Sequence, residues 1–203
     1  MIPKLLLATR NPGKLREYSL LFQNAPFQLT TLDEEGIDLE VEEKGRTLQE
    51  NAELKAAGYA INGRLLVVAD DSGLEVDALE GGPGPLSARY AGEGASDRER
   101  IMLLLSRLQG VPWEKRLAQF KCVIAIGSVS KVVGLCEGEC PGIIGFEPRG
   151  NQGFGYDPVF YLPELGKTMA ELSLDEKNRV SHRGGAARKA LQVLERIWQE
   201  TRR

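Results

Sequence analysis

An α/β fold built on a mixed sheet is predicted by three observations. Short apolar runs end in polar loops, capping-box signals open stretches with helical periodicity, and the two kinds of segment alternate along all 203 residues. Residues 5–8 form the first apolar run, stopping at Thr9-Arg10-Asn11-Pro12-Gly13-Lys14. Leu15, Tyr18, Leu21 and Phe22 then recur at helical spacing, which gives strand, polar loop, helix. From Ile37 the chain alternates, with Ile37, Leu39 and Val41 against Asp38, Glu40 and Glu42, which predicts a half-buried strand with an acidic face. Thr47-Leu48-Gln49-Glu50 opens a helix whose stripe is Leu48, Ala52, Ala56 and Tyr59, with Gly63 as its stop.

Residues 65–69 form a second apolar run that ends at Asp70-Asp71-Ser72-Gly73, predicted as a strand end where an α/β sheet presents chemistry. After the Gly81-Gly82-Pro83-Gly84-Pro85 stretch, Ser96-Asp97-Arg98-Glu99 opens a helix carrying Ile101, Leu104, Leu105 and Leu108. Residues 120–126 and 131–136 predict two strands joined near Gly127-Ser128. Ser173-Leu174-Asp175-Glu176 heads a short helix, and Ala187, Leu191, Leu194 and Trp198 line a final long one. No repeat or linker breaks the chain, so one domain spans 1–203, with a β-rich lobe at about 115–160.

The composition excludes several classes. Hydrophobic residues are 42% and charged residues 27%, too apolar for a disordered chain, and the net charge of −3 offers no field for a nucleic-acid polymer. Cys122, Cys136 and Cys140 are odd in number and lack Cys-x-x-Cys spacing, as expected of reduced thiols. A single histidine, His182, rules out a histidine-rich zinc site. No apolar run is long enough for a signal peptide or membrane span, so a cytoplasmic protein without a membrane partner is expected.

Five segments carry candidate chemistry. Thr9-x-Asn11-x-x-Lys14, between strand and helix, offers N–H groups, two polar side chains and a cation to a phosphate; it reads equally as a capped loop with Pro12 in the first turn. Asp70-Asp71-Ser72-Gly73 suits Mg²⁺, which takes oxygen ligands, or an ordinary aspartate turn in which Gly73 supplies the bend. The run from Asp33 to Glu43 holds seven carboxylates in eleven residues, mostly a solvated face. Period-two alternation puts Glu42 on the charged face and makes it the preferred metal ligand, with Glu43 in reserve. Phe154-Gly155-Tyr156-Asp157-Pro158 can stack on a base and address its edge, or plug the core. Lys177, His182, Arg183 and Gly184 cluster donors, or complement a helix end.

Together these segments resemble the inosine triphosphate pyrophosphatase family, the Ham1-type non-canonical purine nucleoside triphosphatases. The resemblance rests on residues 6–14, 50–56, 69–74 and 83–90, on Gly153-Phe154-Gly155-Tyr156-Asp157-Pro158, and on Ser181-His182-Arg183-Gly184, in the family's order. It implies an elongated mixed sheet flanked by helices, two lobes with a central nucleotide-binding cleft, and a homodimer. It also implies hydrolysis of dITP, ITP and XTP or dXTP to monophosphate and pyrophosphate, cleansing the nucleotide pool. Asp71 is then the proton acceptor, and Mg²⁺ sits on Glu42 and Asp71, with Glu43 in reserve for Glu42 and Asp70 as a candidate second ligand. Thr9, Arg10, Asn11, Pro12, Gly13, Lys14, Lys55 and Ser72 fall in the phosphate-side motifs. Phe154, Gly155, Tyr156, Asp157, Lys177, His182 and Arg183 fall to the base. Ser87, Arg89 and Tyr90 match a motif without a chemical step. The competing readings are a nucleotide sensor that does not hydrolyse and a housekeeping phosphatase cutting another bond.

Overall fold

Side-chain caps fix where the helices begin in the computed structural model, which describes residues 2–63, 65–129 and 131–202. The elements in chain order are β1 (Lys4–Leu7), α1 (Pro12–Leu21), β2 (Gln28–Thr31), α2 (Leu48–Gly63), β3 (Leu66–Val76) and β4 (Pro83–Gly84). There follow α3 (Asp97–Arg107), β5 (Leu117–Ser128), β6 (Lys131–Ile144), β7 (Phe160–Leu162), β8 (Lys167–Thr168), α4 (Leu174–Val180) and α5 (His182–Thr201). Asn11 caps α1 by accepting from the backbone N–H groups of Gly13 and Lys14, with Pro12 in the first turn where its missing N–H costs nothing. The capping boxes at Ser96 with Glu99 and at Ser173 with Glu176 are both formed. At α2 the Thr47 hydroxyl accepts from Glu50 N, while the Glu50 carboxylate accepts instead from Arg46 N at 2.6 Å.

The strands form one mixed sheet, eight strands among the described residues, in the order β2-β1-β3-β5-β6-β7-β8, with β4 beside β3. β1 runs parallel to both β2 and β3, whereas β4 on β3, β7 on β6 and β8 on β7 are antiparallel. By contacts the chain divides into two compact units. Unit 1 is Met1–Asp71, Cys122–Gly138 and Arg183–Arg203; unit 2 is Ser72–Lys121 and Glu139–His182.

Period-two alternation gives unit 1 two cores. Leu5, Leu7, Val68, Cys122, Ile124 and Ile126 pack with Tyr18 and Phe22 of α1 and with Ala187, Ala190 and Leu194 of α5. Leu6, Ala8, Val67, Ala69, Val123 and Ala125 pack with Ala52, Ala56 and Tyr59 of α2. Continuing the count along β3 puts Asp70 on the α1/α5 face and Asp71 on the α2 face. A Cβ at Gly127 of β5 would lie 2.6 Å from the Ala56 carbonyl oxygen, so the bare glycine lets the α2 backbone come in against the sheet beside Lys55. The core of unit 2 joins Leu74, Val76, Leu104, Leu108, Phe120, Ile144, Tyr156, Val159 and Phe160.

Three expectations are corrected. Residues 37–45 form no strand. Val41 packs on Gly58 of α2 and Ile37 on Gly63, so the alternation records one-sided packing of an extended segment on a helix, which has the same period as a half-buried strand. The Asp70-Asp71-Ser72-Gly73 sequence is no strand end. β3 runs through it to Val76 because Leu74 and Val76 resume the buried pattern and Leu74 and Glu75 pair with β4. The middle strands also run longer than 120–126 and 131–136, β5 spanning Leu117–Ser128 and β6 Lys131–Ile144. β2, with only Thr30 buried, had no apolar run to reveal it.

Candidate active site

The site residues of unit 1 gather at the middle of β3 and at the starts of α1, α2 and α5. Asp70 is fully buried; its Oδ2 lies 2.9 Å from Lys14 Nζ and 3.6 Å from Arg183 Nε. Burial alone would raise the Asp70 pKa, but the charges of Lys14, Arg183 and Lys55 outweigh it and hold the carboxyl below the ordinary range. Arg183, also buried, pairs with Glu17 at 2.6 Å and lies over the Tyr18 ring. Cys122 Sγ stands 3.8 Å from Asp70 Oδ2, and burial together with that carboxylate pushes the thiol up to about 12. The cysteine is therefore a neutral packing group on the Asp70 side.

Asp71 meets a different set. Asn51 Nδ2 donates to Asp71 Oδ2 at 3.0 Å, and the same Asn51 takes the Gly45 N–H on its Oδ1 at 2.8 Å, so the amide has one defined orientation. Lys55 Nζ lies 3.8 Å from Asp71 Oδ1, donates to Glu43 Oε1 at 2.9 Å and also donates to the Asp70 carbonyl. Burial disfavours the Lys55 charge, but Asp70, Asp71 and Glu43 outweigh it and raise its pKa. At Asp71 the balance goes the other way. Burial raises its pKa, and Lys55, Lys14 and the Asn51 hydrogen bond do not fully offset it. Neighbouring carboxylates are thus pushed apart, Asp70 kept ionised and Asp71 made the more basic.

The two glutamates considered as metal ligands separate clearly. Glu42 is 70% exposed at its side chain and ion-paired with Lys44, while Glu43 reaches inward to Lys55. The preference for Glu42 relied on strand geometry that residues 37–45 do not have. Among the described residues no group of three or more His, Cys, Asp or Glu is placed to hold a metal. Asp71 and Glu43 nevertheless bring two carboxylates to one lysine. That hard-oxygen set fits Mg²⁺, which is held by one or two carboxylates together with substrate oxygens.

In the loop after β1, the Thr9 hydroxyl accepts from Asn11 N, and the Asn11 side-chain Oδ1 is taken by the α1 cap. What these side chains can present to an anion is their donors, the hydroxyl proton and the amide N–H₂. Arg10 faces elsewhere, bonded to Asp33 at 2.7 Å and to the Ile37 carbonyl.

Unit 2 assembles a second cluster. Asp157 is buried, accepts from Phe154 N at 2.8 Å and binds Lys177, whose Nζ stands 4.7 Å from the centre of the Phe154 ring. A Cβ at Gly153, whose φ is +74°, would fall 2.0 Å from Asp157 Oδ2, so only glycine permits this turn. Tyr156 is buried, and its hydroxyl donates to the Ser87 carbonyl at 2.9 Å. His182 stacks on Phe120 with ring centres 4.6 Å apart, opening α5 on one side while Arg183 turns toward Glu17 and Asp70. Adjacent residues at a helix start point about 100° apart, so the pair cannot share one direction. Ser72 continues β3 beside Asp71.

Three polar groups of these clusters had no assigned role in the sequence: Glu17, Asn51 and Asp97, which accepts the Gly155 N–H at 2.6 Å. For two of them a signal existed. Glu17 sits beside Tyr18 on the buried face of α1, and Asn51 with Lys55 interrupts the apolar stripe of α2 at i, i+4.

A mixed α/β sheet with buried lysine–carboxylate pairs on one part of the chain and an aromatic loop backed by a lysine on another defines a class. These are α/β proteins equipped to offer cations to phosphate and a flat platform to a base. The sequence matches the Ham1 family over residues 5–193, and the chain belongs to that family. It is 47% identical over 195 residues to the dITP/XTP pyrophosphatase of Desulforamulus reducens, covering 96% of this chain and 97% of that protein. With the dITP/XTP pyrophosphatase of Geobacter sulfurreducens it shares 51% identity over 90% of this chain and 92% of the other. A solved HAM1 protein from Coxiella burnetii superimposes with a TM-score of 0.86 at 40% identity, covering 96% of this chain and 99% of that one.

Proposed function

We propose that this chain hydrolyses non-canonical purine nucleoside triphosphates, namely dITP, ITP and XTP or dXTP, to the monophosphate and pyrophosphate. Membership of the Ham1 family and the dITP/XTP pyrophosphatase relatives support the activity. The observation that carries the mechanism is Asp71, held by Asn51 and Lys55 in surroundings that raise its pKa. A carboxylate made more basic and fixed in direction is suited to accept a proton from the attacking water. Its immediate neighbour Asp70 is turned the other way and kept charged.

Lys14 and Lys55 supply positive charge to the triphosphate and to the departing pyrophosphate, with donors from Thr9 and Asn11 fixing its orientation. Pro12 and Gly13 shape that turn by their backbone, and Arg10 secures the 33–37 segment through Asp33. Asp71 and Glu43 would hold a divalent cation, Mg²⁺ in this reading, which when bound supplies Lewis-acid neutralisation of phosphate oxygens. Asp70 acts by holding Lys14 and Arg183 in place.

On the unit 2 side, Phe154 provides the stacking face, set by Gly155, Tyr156 and Asp157, with Ser72 as a further substrate contact. Lys177 and His182 offer donors to the base edge. A 6-oxo group accepts from them whereas the 6-amino group of adenine does not, and such mispairing can reject a substrate by ~10⁴-fold. Arg183, which the resemblance assigns to the same edge, is committed to Glu17 and Asp70 here, so reaching the base requires an exchange of partners. Residues 1–203 act as one functional domain, and the protein is a cytoplasmic homodimer, a stoichiometry that light scattering tests. Among the described residues no helix is long and apolar enough to cross a membrane.

The test is ³¹P NMR of products after incubation with Mg²⁺ and ITP, beside ATP and GTP. Monophosphate plus pyrophosphate from ITP, with ATP and GTP nearly untouched, is the expected result. Orthophosphate, or binding without products, would overturn the assignment in favour of another bond or a sensor.

A further inference from the structure

We infer that Asp97, at the first turn of α3, is a specificity-determining positioning residue that fixes the Phe154 platform from outside its own loop. The inference rests on the proposed stacking role of Phe154. Asp97 Oδ2 accepts the Gly155 N–H at 2.6 Å, and Asp157 Oδ2 accepts the Phe154 N–H at 2.8 Å. Two successive backbone N–H groups are thereby pinned by two carboxylates from different elements. A planar ring whose own amide and the next are both fixed has only its side-chain torsions left to vary. Gly155, at φ +63°, has no side chain to hold the turn by packing, so the amide contact carries that task.

The other Asp97 oxygen, Oδ1, is paired with Arg100, whose guanidinium also donates to the carbonyls of Ala88 at 2.8 Å and Ala95 at 2.7 Å. Tyr156 reaches the same 87–88 segment through the Ser87 carbonyl. The Ser87 hydroxyl in turn accepts from Leu74 N on β3. The Ser87-Ala88-Arg89-Tyr90 motif, chemically silent in the sequence, thus anchors two ties to the base loop. Asp97 is the charged one. Capping by Ser96 and Glu99 would start α3 equally well with another residue at position 97, so the helix itself does not require this carboxylate.

The test compares Asp97→Ala, Phe154→Ala and the double variant with the wild type in ITP hydrolysis, with inorganic tripolyphosphate as inhibitor. Loss of a charge-assisted contact that orients the ring raises KM for ITP about tenfold, leaves kcat within about twofold, and leaves the tripolyphosphate inhibition constant unchanged. In the Phe154→Ala background the Asp97 substitution adds little, because the part it positions is gone. Asp97→Ser, which keeps a helix-start residue but shortens the acceptor, gives the same pattern if the alanine variant folds poorly. An unchanged KM overturns the inference, as does a fall in kcat at constant KM or a full additive loss in the double variant. If Phe154→Ala itself leaves the KM for ITP unchanged, the stacking assignment fails instead, whatever Asp97 does.

Discussion

The two faces of β3 carry adjacent aspartates with opposite fates, and the difference separates a well-paired buried charge from a carboxylate made more basic. Asp70 is enclosed by Lys14, Arg183 and Lys55, and its charge is favoured despite complete burial. Asp71, one residue on, has an amide and a more distant ammonium, and burial prevails over them. Both carboxylates come from one dipeptide; period-two geometry alone sends them to different partners. A buried charge that is well paired is costly to unpair, whereas a carboxylate with a raised pKa is available to take a proton.

Breaking the Asp71 side has the largest expected effect. Asp71→Asn lowers turnover of ITP on the order of 10³-fold or more while leaving nucleotide binding measurable by calorimetry; turnover near the wild-type rate removes Asp71 from the mechanism. On the other side, Arg183→Ala leaves Glu17 buried without its cation and lowers stability by about 3–5 kcal/mol, read from denaturant unfolding. A loss well under 1 kcal/mol shows that Glu17 re-pairs at no cost. The metal assignment sharpens the contrast further. Glu43→Gln raises the Mg²⁺ concentration for half-maximal activity about tenfold or more, and Glu42→Gln leaves it unchanged, since removing even an outer partner of a metal ligand typically costs about that factor. The reverse order restores Glu42 as ligand. The smallest effect belongs to Arg10→Ala, whose exposed pair with Asp33 contributes under about 1 kcal/mol to stability and which changes KM for ITP by less than about twofold. A large KM increase makes Arg10 a phosphate contact.

Much of this arrangement was legible in the residues. Caps at Asn11, Ser96 and Ser173 and the stripe from Leu48 to Tyr59 located α1, α2, α3 and α4, because local hydrogen bonding and burial period are written in neighbouring residues. The motifs contain the groups that the structure pairs, Lys14 with Asp70, Lys55 with Asp71 and Lys177 with Asp157. What periodicity could not decide was the partner. Ile37 and Val41 alternate whether the opposing surface is a strand or helix α2, and the preference for Glu42 over Glu43 rested on the strand. β3 likewise continues past two aspartates because lysines and an arginine distant in sequence neutralise them there. Asp97 meets Gly155 across 58 positions, a contact that no local pattern announces.

The division between the two faces is tested most directly by thermal unfolding of metal-free Asp70→Asn and Asp71→Asn across pH. The folded-state pKa of Asp70 is lowered, so its charge adds stability above the ordinary unfolded value of ~3.9, and that stability is lost as pH falls toward the folded pKa. The folded-state pKa of Asp71 is raised, so its ionisation costs stability once pH exceeds that same unfolded value. The predicted result at pH 7 is a clear loss of stability in Asp70→Asn and none, or a slight gain, in Asp71→Asn, with both differences shrinking below about pH 4. Equal losses in the two variants, or a loss confined to Asp71→Asn, would contradict the account.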